Sequence, residues 1–314
     1  MSKSRFLVTG GAGFIGSNIV EELLKRGEEV RVLDNFSFGK RKNLDFASHY
    51  PFELIEGDIR DLDTCHKACK EIDYVLHQAA LRSVPRSIDH PGCTNEVNVK
   101  GTLNILLAAR DAKVKRVVYA SSSSVYGNAL QLPLNEKHLP VPISPYAASK
   151  LAGEQYCRVF SEIYELETVS LRYFNVFGPR QSVESEYAVV IPKFIQQALL
   201  GEPLEVHGDG EQTRDFSYVA NVVKANLLAA KTSGIRGKVF NIACGERHSV
   251  LKVGKTVGEI LKKEISYNYT PARKGDVKHT LADITQARDL LEYTVVVGFE
   301  EGMKRTIEYF EKAS

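Results

Sequence analysis

The chain has 314 residues, 43% of them hydrophobic and 25% charged, with 41 Lys and Arg against 39 Asp and Glu. A net charge of +2 carries no basic footprint for nucleic acid or an anionic membrane, and no apolar run approaches the length that spans a bilayer. Cys65, Cys69, Cys93, Cys157 and Cys244 are odd in number and lack metal-ligand clustering, so they read as reduced thiols of a cytoplasmic protein with no metal site.

The N-terminus is expected to run straight into a strand, Phe6 to Val8, without a signal peptide. Gly10, Gly13 and Gly16 follow in a GxxGxxG spacing. A helical pattern then places Ile15, Ile19, Val20, Leu23 and Leu24 on one face and stops at Gly27. Val30, Val32 and Leu33 make a second strand closed by Asp34. This β-α-β unit puts its glycines where a pyrophosphate would meet the N–H groups of a helix start. Asp34 can accept both hydroxyls of an adenosine ribose and would repel a 2′-phosphate, which favours NAD over NADP.

The alternation continues with strands at Phe52 to Glu56, Tyr74 to His77, Val117 to Ala120 and Thr168 to Leu171. Between them lie helices at Asp61 to Lys70, Asn95 to Asp111, and from the Ser144-Pro145 start to about Tyr164. Such repetition predicts an α/β fold with a doubly wound parallel sheet, Rossmann-like, whose ligands bind where strands end. From Phe177 the rhythm loosens. Helices at Ile191 to Leu200 and Ala220 to Lys231 and a strand at Val239 to Ile242 precede three more helical patterns. Residues 1–176 and 216–243 are expected to form the cofactor domain. Residues 177–215 and 244–314 are expected to form a smaller, discontinuous substrate domain.

Tyr146 and Lys150 stand four apart in YAASK, on one helical face. A free Tyr titrates near pH 10, and a neighbouring ammonium favours its phenolate. Such a Tyr can take an alcohol proton while a hydride leaves the same carbon. Ser121 to Ser124 end the preceding strand, where a hydroxyl can bond the same oxygen.

At this point the chain resembles the extended short-chain dehydrogenase/reductases, and within them the nucleotide-sugar epimerases. The likeness is carried by VTGGAGFIGS (8–17), VLDN (32–35), GDIRD (57–61), HQAA (77–80), NVKGT (98–102), SSSSVYG (121–127), YAASK (146–150), LRYFNVFGP (171–179) and GDGEQTRDF (208–216). The resemblance implies that Gly10, Gly13, Phe14, Ile15 and Gly16 cradle the pyrophosphate of NAD. It implies that Asp34 and Asn35 hold its ribose, and that Asp58 and Ile59 flank adenine. Ala79, Ala80, Arg82 and Tyr173 would line the cofactor, with Asn98 a hydrogen-bonding partner there. Ser122 would be the catalytic hydroxyl beside Ser123. Tyr146 would be the base, and Lys150 the residue that binds nicotinamide ribose and depresses the Tyr146 pKa. Asn175, Arg214, Arg273 and Asp276 would hold the nucleoside diphosphate, with Leu204, Glu205 and Val206 as a strand stacking on the base. Asn221 departs from the Asp common at its position, which should have a local structural effect only.

The resemblance also separates outcomes. A 4,6-dehydratase of this kind would carry Asp-Glu where Ser123-Ser124 stand, and no group for a sugar carboxylate is located that would mark a decarboxylase or uronate epimerase. A UDP-sugar 4-epimerase acting through a 4-keto sugar fits what is present. Thr280, four residues after Asp276, is small, and LRSVPRSI (81–88) looks like the subgroup handling N-acetylated sugars. Both point to UDP-N-acetylglucosamine and UDP-N-acetylgalactosamine, with UDP-glucose and UDP-galactose second. Alternatives are a reductase that releases its cofactor and a dinucleotide-binding protein without catalysis. The resemblance further implies a homodimer formed by the helix after Asn95 and the helix bearing Tyr146.

Overall fold

The computed structural model describes residues 3–129, 131–182, 190–271 and 277–313. The chain opens with β1 (Arg5–Thr9), α1 (Phe14–Lys25), β2 (Glu29–Asp34) and β3 (Glu53–Glu56). Next come α2 (Leu62–Cys69), β4 (Tyr74–His77), α3 (Val84–Asp89), α4 (Pro91–Asn95) and α5 (Gly101–Asp111). The first half closes with β5 (Arg116–Ser122), α6 (Pro145–Ile163) and β6 (Glu167–Tyr173).

The central strand β1 is apolar on both faces because helices cover both. Phe6, Leu7 and Val8 are all fully buried, in the manner of a parallel sheet. Asp61 caps α2 by accepting from the Asp63 N–H, and Ser144 caps α6 by accepting from the Ala147 N–H at 3.2 Å, with Pro145 following.

The second half runs through β7 (Val176–Phe177), α7 (Val190–Leu200), β8 (Leu204–His207), β9 (Thr213–Arg214) and β10 (Ser217–Tyr218). It continues with α8 (Val219–Lys231), β11 (Val239–Ile242), β12 (His248–Ser249) and α9 (Val250–Leu261). It ends with β13 (Tyr267–Thr270), α10 (Thr285–Leu291) and α11 (Phe299–Ala313). A seven-stranded parallel sheet has the order β11-β6-β5-β4-β1-β2-β3. The strand order reverses between β1 and β4, and the crevice at that switch point is where a doubly wound sheet takes its ligand. Short pairs β7–β10, β9–β12 and β8–β13 lie outside that sheet. Buried apolar residues run in one cluster from Phe6 and Val8 through Phe177 and Leu204 to Met303, so both halves share a core.

The following features are among those that differ from the sequence expectation. The helix expected over Asn95 to Asp111 is interrupted by a π turn at Glu96–Lys100. That widened turn holds Asn98 inward, a polar demand that apolar periodicity does not register. The short α3, started by Ser83 accepting from the Arg86 N–H, was too short to show a period. β13 carries a Tyr-Asn-Tyr-Thr sequence with two exposed residues and exists by pairing with β8.

Candidate active site

A cleft of about 1400 Å³ opens along the carboxyl ends of the sheet strands. Gly10, Gly13, Phe14, Ile15, Gly16, Asp34, Asn35, Asp58, Ile59, Ala79, Ala80 and Arg82 line it, as do Ser122, Ser123, Tyr146, Lys150, Tyr173, Asn175, Arg214 and Thr280.

At one end the glycine turn is shaped by close approach. Gly10 sits at φ +64°, and a Cβ there would lie 2.8 Å from the backbone of Ala79. A Cβ on Gly16 would overlap the Gly10 carbonyl oxygen. Gly13 precedes α1 without a side-chain cap, so the first N–H groups of α1 are presented to the cleft for an anion. Asp34 accepts from the Ala12 N–H at 2.9 Å on one oxygen and from the Phe36 N–H at 2.8 Å on the other. Burial raises its pKa, and the two N–H groups oppose that. Each oxygen keeps a lone pair for a ribose hydroxyl. Asp58 accepts from Asn35 Nδ2 at 2.8 Å, and its bonds from Arg60 hold its pKa down to about 2. The cradle that a methyl would fill, the helix start and the anchored carboxylate all fit a dinucleotide.

Toward the middle of the cleft, α6 places Tyr146, Lys150 and Glu154 at successive i, i+4 positions. Glu154 is buried and accepts from Ser121 Oγ, from Arg172 Nε at 2.9 Å and from Arg172 Nη2 at 2.7 Å. It thereby pins α6 to β5 and β6 at the depth of Ser122. The Ser122 hydroxyl donates to Ser124 Oγ at 3.1 Å and accepts from the Ser124 N–H at 3.2 Å. The Tyr146 pKa is raised by burial, while Ser122 and the Arg82 charge favour the phenolate.

The Lys150 ammonium is held by another partner in this structure. Lys150 Nζ donates to the Ala120 carbonyl at 2.8 Å and lies 5.0 Å from the Tyr119 ring centroid. Burial lowers its own pKa to about 8, against the pull of Cys157 and Glu154. In this conformation Arg82 is a cation that favours the Tyr146 phenolate.

Asn98 is a hydrogen-bonding partner behind the cleft and does not line it: it is buried, its side chain accepts from the Leu81 N–H at 2.8 Å and donates to the Leu81 carbonyl and Ser149 Oγ, both at 3.0 Å. The Tyr173 hydroxyl meets Gln78 and Asn226, and burial pushes its pKa to about 12.

At the far end, Arg214 Nη1 donates to the carbonyls of Thr213 at 2.9 Å and Lys278 at 3.0 Å, which fixes its guanidinium at the cleft wall. Asn175 donates to Thr280 Oγ1 and to the Asp215 carbonyl, both at 3.4 Å. Leu204 and Val206 do not reach the cleft. Both side chains are fully buried in the apolar core, because a strand covered by α7 and α9 turns residues i and i+2 inward. Arg273 and Asp276 lie outside the described residues. Asn221 is buried, accepts from the Val296 and Val297 N–H groups and donates to the Val297 carbonyl at 2.8 Å, a donation no aspartate could make.

Two contributors were not singled out from the sequence. Arg180 lines the cleft and is clamped by Asn18 Oδ1 at 2.8 Å and Glu21 Oε2 at 2.6 Å. It follows a strand end in FGPRQ, a position the carboxyl-end rule would have flagged. Asp215 is fully buried and accepts from the Cys244, Gly245 and Ala282 N–H groups, with its pKa pushed up to about 7 by burial. It holds the segments carrying Arg214 and Thr280 to the end of β11, a long-range role without a local pattern.

A family model described as the NAD dependent epimerase/dehydratase family matches residues 6–243. The putative UDP-glucose 4-epimerase of Methanocaldococcus jannaschii is 38% identical over 311 residues, 97% of this chain and 98% of that protein. The solved UDP-N-acetylglucosamine 4-epimerase of Methanobrevibacter ruminantium, in complex with UDP-N-acetylmuramic acid, is 41% identical over 100% of both chains with a TM-score of 0.96. The UDP-glucuronic acid 4-epimerase of Bacillus cereus, solved with UDP-glucuronic acid and NAD, is 33% identical over 99% of this chain and 100% of that one, with a TM-score of 0.92. With the glycine cradle, the anchored Asp34 and the Ser122, Tyr146 and Lys150 grouping already in place, the chain belongs to the NAD dependent epimerase/dehydratase family, as an enzyme whose cofactor is NAD.

Proposed function

We propose that the protein is a UDP-sugar 4-epimerase that interconverts UDP-N-acetylglucosamine and UDP-N-acetylgalactosamine. The choice of sugar rests on Thr280, a small side chain on the cleft wall beside Asn175 that leaves room for an N-acetyl group. The likeness to the M. ruminantium enzyme supports it. The M. jannaschii relative favours UDP-glucose and UDP-galactose as the second pair.

In this reading Gly10, Gly13, Gly16, Asp34 and Asn35 hold the pyrophosphate and ribose of the cofactor. When bound there, NAD would supply the acceptor for the C4 hydride of the sugar and the donor that restores it. Tyr146, as phenolate, receives the proton of the 4-hydroxyl and gives it back to the epimeric oxygen. Ser122 bonds the same oxygen and holds it in line. Arg82 supplies a charge that opposes the effect of burial on Tyr146, and a turn of Lys150 away from Ala120 would add a second. Arg214, with Arg273 and Asp276 assigned from the sequence, keeps the nucleotide clamped while the 4-keto sugar turns over.

The cofactor and substrate domains are divided at the boundaries given above. A homodimer would use α5 and α6, and the exposed Tyr156, Val159 and Ile163 of α6 supply an apolar stripe for it. Sedimentation showing only a 35.0 kDa species would remove the dimer. No described helix is long and apolar enough to cross a membrane, and the reduced thiols support a cytoplasmic location.

The test incubates purified protein, without added cofactor, with UDP-N-acetylglucosamine and separately with UDP-glucose, and follows epimers by proton NMR. Faster epimerisation of the N-acetylated sugar is expected. Preference for UDP-glucose reverses the sugar assignment, and no epimer even with added NAD removes the epimerase reading.

A further inference from the structure

His77, at the end of β4, is buried between two threonines. Its Nδ1 lies 2.6 Å from Thr9 Oγ1 and its Nε2 lies 3.0 Å from Thr102 Oγ1. The proton positions follow from the neighbours. Thr102 Oγ1 is 2.6 Å from the Asn98 carbonyl, which can only accept, so the Thr102 proton points there. Tyr119 also bonds the Thr102 side chain, but with the Thr102 proton on the Asn98 carbonyl, Nε2 is the donor to Thr102. A neutral imidazole carries one N–H, so Nδ1 accepts and the proton between it and Thr9 belongs to Thr9. Thr9 Oγ1 is thereby left to accept from the Ala79 N–H at 3.2 Å. Burial, helped by the Lys150 charge, keeps the ring neutral by lowering its pKa to about 3.

The two ends of this chain reach different parts of the cleft. Ala79 presses on the glycine turn, with its backbone 2.8 Å from where a Gly10 Cβ would stand. At the other end the Asn98 side chain grips Leu81 and Ser149, and Ser149 Oγ donates to the Tyr146 carbonyl at 2.7 Å. Between these ends lies the 79–82 loop, which carries Arg82 toward Tyr146.

We propose that His77, locked as the neutral Nε2–H tautomer by Thr9 and Thr102, is a positioning residue that sets the 79–82 loop against both the glycine turn and the helix bearing Tyr146. It acts through its neighbours and is not itself a catalytic residue. The proposal rests on the dinucleotide reading of the cleft, and only its turnover readout rests on the epimerase reading.

The test begins with the holoprotein labelled with ¹⁵N-histidine, using long-range ¹H–¹⁵N correlation spectra with His77 assigned by its loss in His77→Phe. A single Nε2–H tautomer that persists from neutral pH to about pH 5 is expected. An Nδ1–H tautomer, or protonation in that range, overturns the proposal. The second arm compares two near-isosteric variants. Thr9→Val strands the Ala79 N–H, so the Kd for NAD should rise on the order of tenfold. The kcat should fall on the order of 10- to 100-fold with the sugar-nucleotide KM unchanged. Thr102→Val should give a mixed tautomer pattern and a smaller fall. A folded Thr9→Val protein with wild-type NAD affinity and kcat refutes the positioning role. Should Thr9→Val not fold, the wild-type spectrum still decides. NAD affinity is independent of the sugar, so a wild type that turns over no sugar would sink the epimerase reading and leave this one testable.

Discussion

The two ends of the cleft were read from the sequence by different signals, and they fared differently. At the cofactor end, Gly10, Gly13, Gly16, Asp34 and Asp58 all face the cleft. At the nucleotide end, Arg214 and Thr280 face it, while Leu204 and Val206 point into the core. Glycine spacing reports a backbone constraint: a Cβ on Gly16 has nowhere to go, whatever the rest of the chain does. The face a strand residue takes is set by what packs on each side. β8 is covered by α7 and α9, and its two apolar residues follow the burial.

Substitutions on each side can break or sharpen this contrast. Tyr146→Phe should have the largest effect, a fall in kcat of about a thousandfold with NAD binding retained. Turnover by NMR together with NAD titration checks it, and a near-wild-type rate would remove Tyr146 as the base. Leu204→Ala should cost about 2–5 kcal/mol of stability through a core cavity and leave the substrate KM unchanged. Denaturant unfolding measures the first and kinetics the second; a raised KM without lost stability would return Leu204 to the site.

Lys150→Met should change the pH dependence of stability by an amount on the order of 3 kcal/mol. The Lys150 pKa is lowered from 10.5 to about 8 by burial. Below pH 8 both states are protonated and the folded state bears the full penalty. Between 8 and 10.5 the unfolded state binds more protons, so wild-type stability should rise with pH relative to the variant. Parallel unfolding curves across that window would show that Lys150 is not desolvated. Arg214→Ala should have the smallest effect, about a tenfold higher KM for the UDP-sugar with unchanged thermal stability.

Much of the site was legible because its parts are local. GxxGxxG, the acid ending the second strand, the serine cluster and YxxxK each occupy one turn or one strand end. What escaped was relational. Asp215 ties together residues about 30 and 67 positions away, by the separations of its bonds to Cys244, Gly245 and Ala282. His77 sits inside the quoted HQAA motif, yet its partners Thr9 and Thr102 come from two other elements.

The charge on Tyr146 shows the same division. An i, i+4 spacing dictates that Tyr146 and Lys150 share a helix face, because a helix turns every 3.6 residues. It does not dictate where the long Lys150 side chain ends, since that depends on which acceptor the packed neighbours offer. Here the Ala120 carbonyl takes the ammonium and the loop after β4 brings Arg82 to the tyrosine instead. By itself, then, the sequence determined the alternating elements, the cofactor turn and the residue types that carry the chemistry. Only the tertiary structure decided which side chains face the cleft and which charges act on them, because both depend on contacts between segments far apart in the chain.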